Sequence, residues 1–439
     1  MSASTGSSPA GIIYDAAWGA VAAVCRPALG FARLREARGS WIAAKLGIHA
    51  PAGDGPCCWI HACSVGEVAV ALRCIAALRA ARPGLRFVLT TVTPEGRILA
   101  DRSVSPPDRV EWFPFDARSA IRRAYDAFRP EFVVLVEVEL WPNHLREACE
   151  RDIPVFVVNA RLSGNDERNY RRAGAFIRRI FALPELVCAR SMEDASRFQR
   201  LGARNVVVTG DMKLDPPPRT SSGSPADSVI LPDAPVLLGA STHPGEEDVL
   251  MDVFQSCRRA VPDLVLVLVP RHPARAGTIR AAASRHGFRV ASGSETAPDC
   301  WVVDAIGHLP RLYSMATVAF VGKSLTARGG QNFVEAVEAG CPVVIGPHMD
   351  NFAGTTHAFL SANAVLQVHD AESLALAAET LLLDPGCREL LITRATAVLR
   401  NARGATQRTV QRLLDQLGAR TDTSSGFTVQ EPHGKEHAE

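Results

Sequence analysis

Four segments place charged residues where apolar strands end, positions that packing alone does not ask for. The first is WIHACSVGEVAVALRCIAAL, from Trp59. A strand ends near Ala62, a short loop holds Ser64 and Gly66, and a helix begins around Glu67. Two readings of Glu67 stand side by side. Ser64-x-x-Glu67 has the spacing of a capping box, in which both side chains satisfy orphan N–H groups of the helix start. Alternatively, Glu67 projects from the carboxyl edge of a parallel sheet as a general base. The helix dipole would then favour its ionised form and desolvation would oppose it. The second segment is FVVLVEVELWPNHL, where a buried run meets Glu137 and Glu139 and Pro142 suits the next helix start. These carboxylates either carry chemistry or pair with an arginine such as Arg161.

The third group is cationic. Lys213 follows a strand in VVVTGDMKLD and Arg271 follows one in LVLVLVPRHPAR. An anion could be gripped by both, the arginine as a fork and the lysine as a point charge. Each could equally be a solvated surface cation. The fourth is FVGKSLTARGGQNFVEAVEAGCPVVIGP. Gly329 and Gly330 open a helix on which Asn332 and Glu335 share a face, an entry that could expose N–H groups to a phosphate. The alternative is a plain glycine turn, because neither a P-loop nor a GxGxxG spacing is present. His61, His243 and His272 show no zinc-protease spacing, and no metal site is expected. The eleven cysteines are an odd number without CxxC pairs, as in buried thiols of a reducing compartment.

The elements that hold these residues alternate short β-branched runs with helical stretches. Strands are expected at Cys57–Ala62, Phe87–Val92, Phe132–Glu137, Val155–Asn159, Leu186–Ala189 and Val206–Thr209. After DPPPRTSSGSPADS they resume at Val236–Ala240, Leu264–Val269, Val318–Val321 and Pro342–Ile345. Continuous apolar strands separated by helices imply parallel sheets covered on both faces. The expected fold is α/β, with two Rossmann-like domains facing a cleft. The boundaries read as an N-terminal apolar segment over 1–34, a first domain over 35–214, a linker over 215–230, a second domain over 231–420 and a disordered tail over 421–439.

With 47% hydrophobic residues, 21% charged residues and a formal net charge of +2, the 439-residue chain can bury ordinary cores and gives no sign of a nucleic-acid partner. Gly11 to Phe31 is apolar apart from Asp15 and Arg26. Three readings of it stay open: a marginal spanning helix, an interfacial helix with Tyr14 and Trp18 at the headgroups, or a docking helix.

The runs WIHACSVGE, TTVTPEG, EVELWPN, NARLS, GDMKLD, ASTHPGEE, VPRHPAR and GGQNFVEAVEAGCPVVIGPHMDNF, in this order, resemble the Kdo (3-deoxy-octulosonic acid) transferases of lipopolysaccharide assembly. The resemblance implies the two-domain glycosyltransferase B architecture with a hydrophobic anchor helix on the cytoplasmic face of the bacterial inner membrane. It implies inverting, metal-independent transfer of Kdo from CMP-Kdo to a lipid A precursor (lipid IVA), with no cofactor. On this likeness Glu67 is the base, and Glu137 and Lys213 support the transition state. Pro270 and Arg271, Gly307, His308 and Leu309, and Asn332, Phe333, Val334 and Glu335 hold CMP. Four positions depart from the family pattern: Val138 for threonine, His308 for glutamate, Lys323 for glycine and Gln331 for histidine. Two alternatives share the features read from the residues. One is another nucleotide-sugar enzyme of the same architecture, an epimerase or hydrolase. The other is a membrane-tethered nucleotide-binding regulator without turnover.

Overall fold

The computed structural model describes residues 9–32, 36–51, 53–216, 234–291, 298–305 and 307–425. The expected linker over 215–230 lies outside them apart from its first two residues. The chain divides into two compact units, one of residues 1–220 with 403–439 and one of residues 221–402.

The first unit carries seven parallel strands: β1 (Cys57–His61), β2 (Arg86–Thr91), β3 (Arg109–Trp112), β4 (Phe132–Val136), β5 (Val155–Ala160), β6 (Leu186–Ala189) and β7 (Val206–Val208). Their order is β3-β2-β1-β4-β5-β6-β7. Alternate residues of these strands enter two separate cores. Cys58, Ile60, Phe132 and Val134 pack under the helix Val65–Ala81. Trp59, Val133 and Leu135 pack under the helices Arg118–Phe128 and Pro142–Glu150. Both faces are apolar, so the period of two is hidden in the sequence.

The second unit repeats the plan with β8 (Val236–Thr242), β9 (Val265–Pro270), β10 (Val290–Ala291), β11 (Cys300–Val302), β12 (Val318–Val321), β13 (Val343–Ile345) and β14 (Leu366–Gln367), all parallel. The order is β10-β11-β9-β8-β12-β13-β14.

Two boundaries differ from expectation. The last helix, Ala405–Ser425, belongs to the first unit and not to the second, because Ala405, Val410 and Leu413 complete the core beneath β1 and β4. It also runs five residues into the expected tail, whose remainder, 426–439, lies outside the described residues.

The N-terminal helix Pro9–Ala32 docks on the first unit. The Tyr14 hydroxyl donates to Asp116 at 2.8 Å, Arg146 reaches Asp15 at 3.3 Å, and the Trp18 ring lies 5.7 Å from Phe115 and 6.1 Å from Trp141. Tyr14 and Trp18 therefore face protein, which corrects the reading that set them at lipid headgroups. On the remaining surface of the helix Ile12, Ile13 and Val21 are exposed. Among the described residues no helix is long and apolar enough to cross a membrane.

Candidate active site

In the first unit the strand order reverses between β1 and β4, the place where open parallel sheets gather ligands beyond their carboxyl ends. The first turn of the helix after β1 carries Glu67, and the turn after β4 carries Glu137.

Ser64 caps the helix Val65–Ala81 through Glu67 N–H, but the reciprocal half of the capping box is missing, because the Glu67 carboxylate does not take the Ser64 N–H. Glu67 is only 9% exposed, and each of its oxygens accepts one hydrogen bond. Cys63 N–H donates to Oε2 at 2.8 Å and the Ser64 hydroxyl to Oε1 at 2.8 Å. Each oxygen keeps a second lone pair, so capping and proton transfer are compatible. The Cys63 carbonyl in turn accepts from the hydroxyls of Thr91 and Thr93, both at 3.0 Å, and from Thr93 N–H at 3.2 Å. The TTVTPEG run thus fixes the loop that leads into Glu67's helix. Gly96 is required there, because a Cβ would lie 2.8 and 2.9 Å from the same two hydroxyls.

Glu137 stands at the end of β4 in the left-handed region (φ 62), a conformation that costs a non-glycine residue about 1 kcal/mol or more. Its partner is Lys213, not Arg161: the ammonium lies 2.6 Å from Oε1. Lys213 also borders the first turn of Glu67's helix, 3.7 Å from where a Cβ on Gly66 would sit. The three residues read from the sequence as catalytic are therefore brought together.

Glu139 joins them. Trp141 Nε1 donates to its Oε2 at 2.9 Å, and His61 Nε2 faces the same oxygen at 3.6 Å. His61 is fully buried, bonded to Thr90 and stacked 3.9 Å from Phe113, which makes it a core histidine with one side turned to the site. Burial pushes the Glu67 carboxyl above its ordinary range, and the charges of Glu137 and Glu139 push the same way against the bonds from Cys63 and Ser64. Burial acts on Glu139 too, but His61 and Trp141 more than offset it and hold that group low. One desolvated carboxylate beside an ion pair and an ionised neighbour suits a proton acceptor.

In the second unit the reversal lies between β8 and β12. Glu246, fully buried, spans it. It accepts from the backbone N–H groups of His243 and Lys323, both at 2.8 Å, Ser324 at 3.0 Å and Leu325 at 3.1 Å. Lys323 adopts φ 57, which explains why glycine suits this position. Glu247 holds Arg275 through two bonds of 2.7 and 3.0 Å and takes the Thr242 hydroxyl at 2.8 Å. Gln331 approaches His243 at 3.4 Å. Burial, then the nearby Lys323, His272 and Arg275, hold the His243 ring below its ordinary value against Glu246. The two buried carboxylates thus fix the loops after β8 and β12 through backbone N–H groups and Arg275.

The other predicted nucleotide residues divide. Arg271 is exposed directly after β9, and Pro270 before it is buried. Gly307 takes φ 99, and Leu309 is half-buried. His308 is 8% exposed with Nδ1 lacking a partner. Asn332 accepts from Val334 N–H at 3.1 Å and donates to Glu335 at 3.4 Å. Phe333 and Val334 are core residues, so only their backbone is available to a ligand. Gly329 and Gly330 do not open the helix. It begins at Val334, and Gly330 instead packs on Met349, whose sulfur would lie 2.5 Å from a Cβ. Sequence reading missed Glu246, Glu247 and Arg275 as organisers, although ASTHPGEE and VPRHPAR contain them.

Residues 38–216 match the family model described as 3-Deoxy-D-manno-octulosonic-acid transferase (kdotransferase). A 3-deoxy-D-manno-octulosonic acid transferase of Bordetella pertussis is 33% identical, over 88% of this chain and 95% of its own. One from Haemophilus influenzae is 30% identical over 82% of this chain and 86% of its own. A crystal structure of UDP-N-acetylglucosamine 2-epimerase shares the fold (TM-score 0.56, 13% identity, 84% of this chain and 98% of that one). With this identity spread over most of both chains, and with its carboxylates and lysine gathered at a sheet's switch point, the chain belongs to the 3-deoxy-D-manno-octulosonic acid transferase family and is a glycosyltransferase.

Proposed function

We propose that this enzyme transfers Kdo from CMP-Kdo to the glucosamine 6-hydroxyl of a lipid A precursor, lipid IVA, with inversion and without a metal ion. The observation that carries this is the desolvated Glu67 carboxylate beside the Lys213–Glu137 ion pair. Glu67 takes the hydroxyl proton as the acceptor oxygen attacks the anomeric carbon of Kdo. The bond from that carbon to the CMP phosphate breaks, and CMP leaves with the electron pair. A base on the face opposite the leaving group means single displacement and hence inversion. Lys213 stabilises charge near the reacting carbon. Arg271 and Lys323 receive the monophosphate, whose modest charge asks for no divalent ion.

The enzyme works at the cytoplasmic face of the inner membrane, with the helix Pro9–Ala32 lying on the bilayer. What supports this is the exposure of Ile12, Ile13 and Val21 on a helix whose other side docks on the first unit. Incubating purified protein with CMP-Kdo and lipid IVA and weighing the lipid tests the reaction. The expected product gains one or more Kdo units, and an unchanged lipid with free Kdo would point to a hydrolase.

A further inference from the structure

We propose that Asp215 is a positioning residue that ties Lys213 to the start of the final helix, Ala405–Ser425. Asp215 is 7% exposed, and its carboxylate accepts two backbone N–H groups at 2.6 Å each, from Gly404 and Thr406. A helix start ordinarily takes its cap from a neighbouring Ser, Thr, Asp or Asn. Here the residue preceding the helix is Gly404, which has no side chain, and the cap comes from 189 residues earlier in the chain.

The same contact reaches the whole loop around Lys213. Arg408 donates to the Thr209 carbonyl at 2.9 Å, and the Thr209 and Thr409 hydroxyls bond at 2.8 Å. Met212 N–H is held by Asn159 Oδ1 at 2.9 Å and Lys213 N–H by Asp211 at 3.0 Å. Beyond Lys213, Arg403 reaches the Leu214 carbonyl at 3.4 Å and Arg73 the Asp215 carbonyl at 2.8 Å. The final helix thus grips the loop on both sides of Lys213, and Asp215 is the buried carboxylate in that grip. Its removal leaves two helix-start amides without their acceptor and frees the backbone two residues from Lys213. The ammonium must keep its place beside Glu137, and a displacement of about 1 Å is enough to cost a large factor in rate.

The inference rests on the role given to Lys213 in transfer. It is tested with the full-length protein, CMP-Kdo and lipid IVA, using Asp215→Ala, Asp215→Asn, Lys213→Ala and the double variant. Asp215→Ala is expected to lower kcat about 10-fold or more. KM for CMP-Kdo should stay within about two-fold, and Asp215→Ala should add nothing in the Lys213→Ala background. Asp215→Asn keeps one acceptor oxygen and loses less, and it carries the test if the alanine variant does not unfold cooperatively. Wild-type kcat in a folded Asp215 variant overturns the proposal, as does a loss that multiplies with that of Lys213→Ala. Wild-type kcat in Lys213→Ala alone is a separate outcome: it removes the role of Lys213 itself, and with it the strap's purpose.

Discussion

Lys213 and Glu137 form a 2.6 Å ion pair across 76 residues of sequence, although their strands, β7 and β4, are not neighbours in the sheet. The pair stands next to the Glu67 carboxyl, which burial raises above its ordinary range, and that relationship sets the first expectation. Glu137→Gln removes one of the like charges that raise Glu67, so the acid limb of kcat/KM should move to lower pH. Lys213→Ala should lower kcat by about 100-fold through lost charge stabilisation. Steady-state rates across pH for both variants check this.

Glu246 organises the second unit's loop by accepting four backbone N–H groups. Glu246→Ala strands them in the interior, at about 1–3 kcal/mol for each buried donor left unpaired. KM for CMP-Kdo should rise about 10-fold or more while KM for the lipid acceptor changes little. Initial-rate kinetics with each substrate varied in turn separate the two.

Asp116 gives the first unit a pH-dependent stability. Burial pushes its carboxyl up to about 7, against bonds from Asn143 N–H, the Tyr14 hydroxyl and His144 N–H. The folded state therefore binds the Asp116 proton more tightly than the unfolded chain does. Its stabilising contribution is complete below pH 3.8 and is lost as pH rises through about 7. Thermal midpoints measured from pH 4 to 8 should fall across this window more steeply in the natural protein than in Asp116→Asn.

The parts of the fold legible in the sequence are those where one short run decides the outcome. Phe132–Val136 and Val265–Pro270 are apolar on both faces and could only be central strands. β3 was not legible, because Arg109, Val110, Glu111 and Trp112 are half-buried on an edge and form no apolar run. The two-residue strands β10 and β14 are too short to leave a pattern. No local signal states which unit a helix covers, so Ala405–Ser425 was assigned to the wrong one. The same blindness hid Glu246. An acid at a helix start is expected for capping, and its four amide donors come from both sides of the β8–β12 reversal. Glu67, Glu137 and Lys213 were legible because each stands where an apolar strand stops. Their convergence depends on strand order, which periodicity does not carry.

The most direct measurement is single-turnover transfer by Glu67→Gln, with CMP binding and thermal unfolding recorded on the same preparation. Glutamine still offers an oxygen to Cys63 N–H, and the Ser64 hydroxyl can turn to accept from the new amide, so folding is expected to persist. Relieving a buried carboxylate should leave stability at neutral pH equal or higher. The account predicts natural CMP affinity with transfer reduced by about 1,000-fold or more. A folded Glu67→Gln enzyme that transfers Kdo at the natural rate would contradict it.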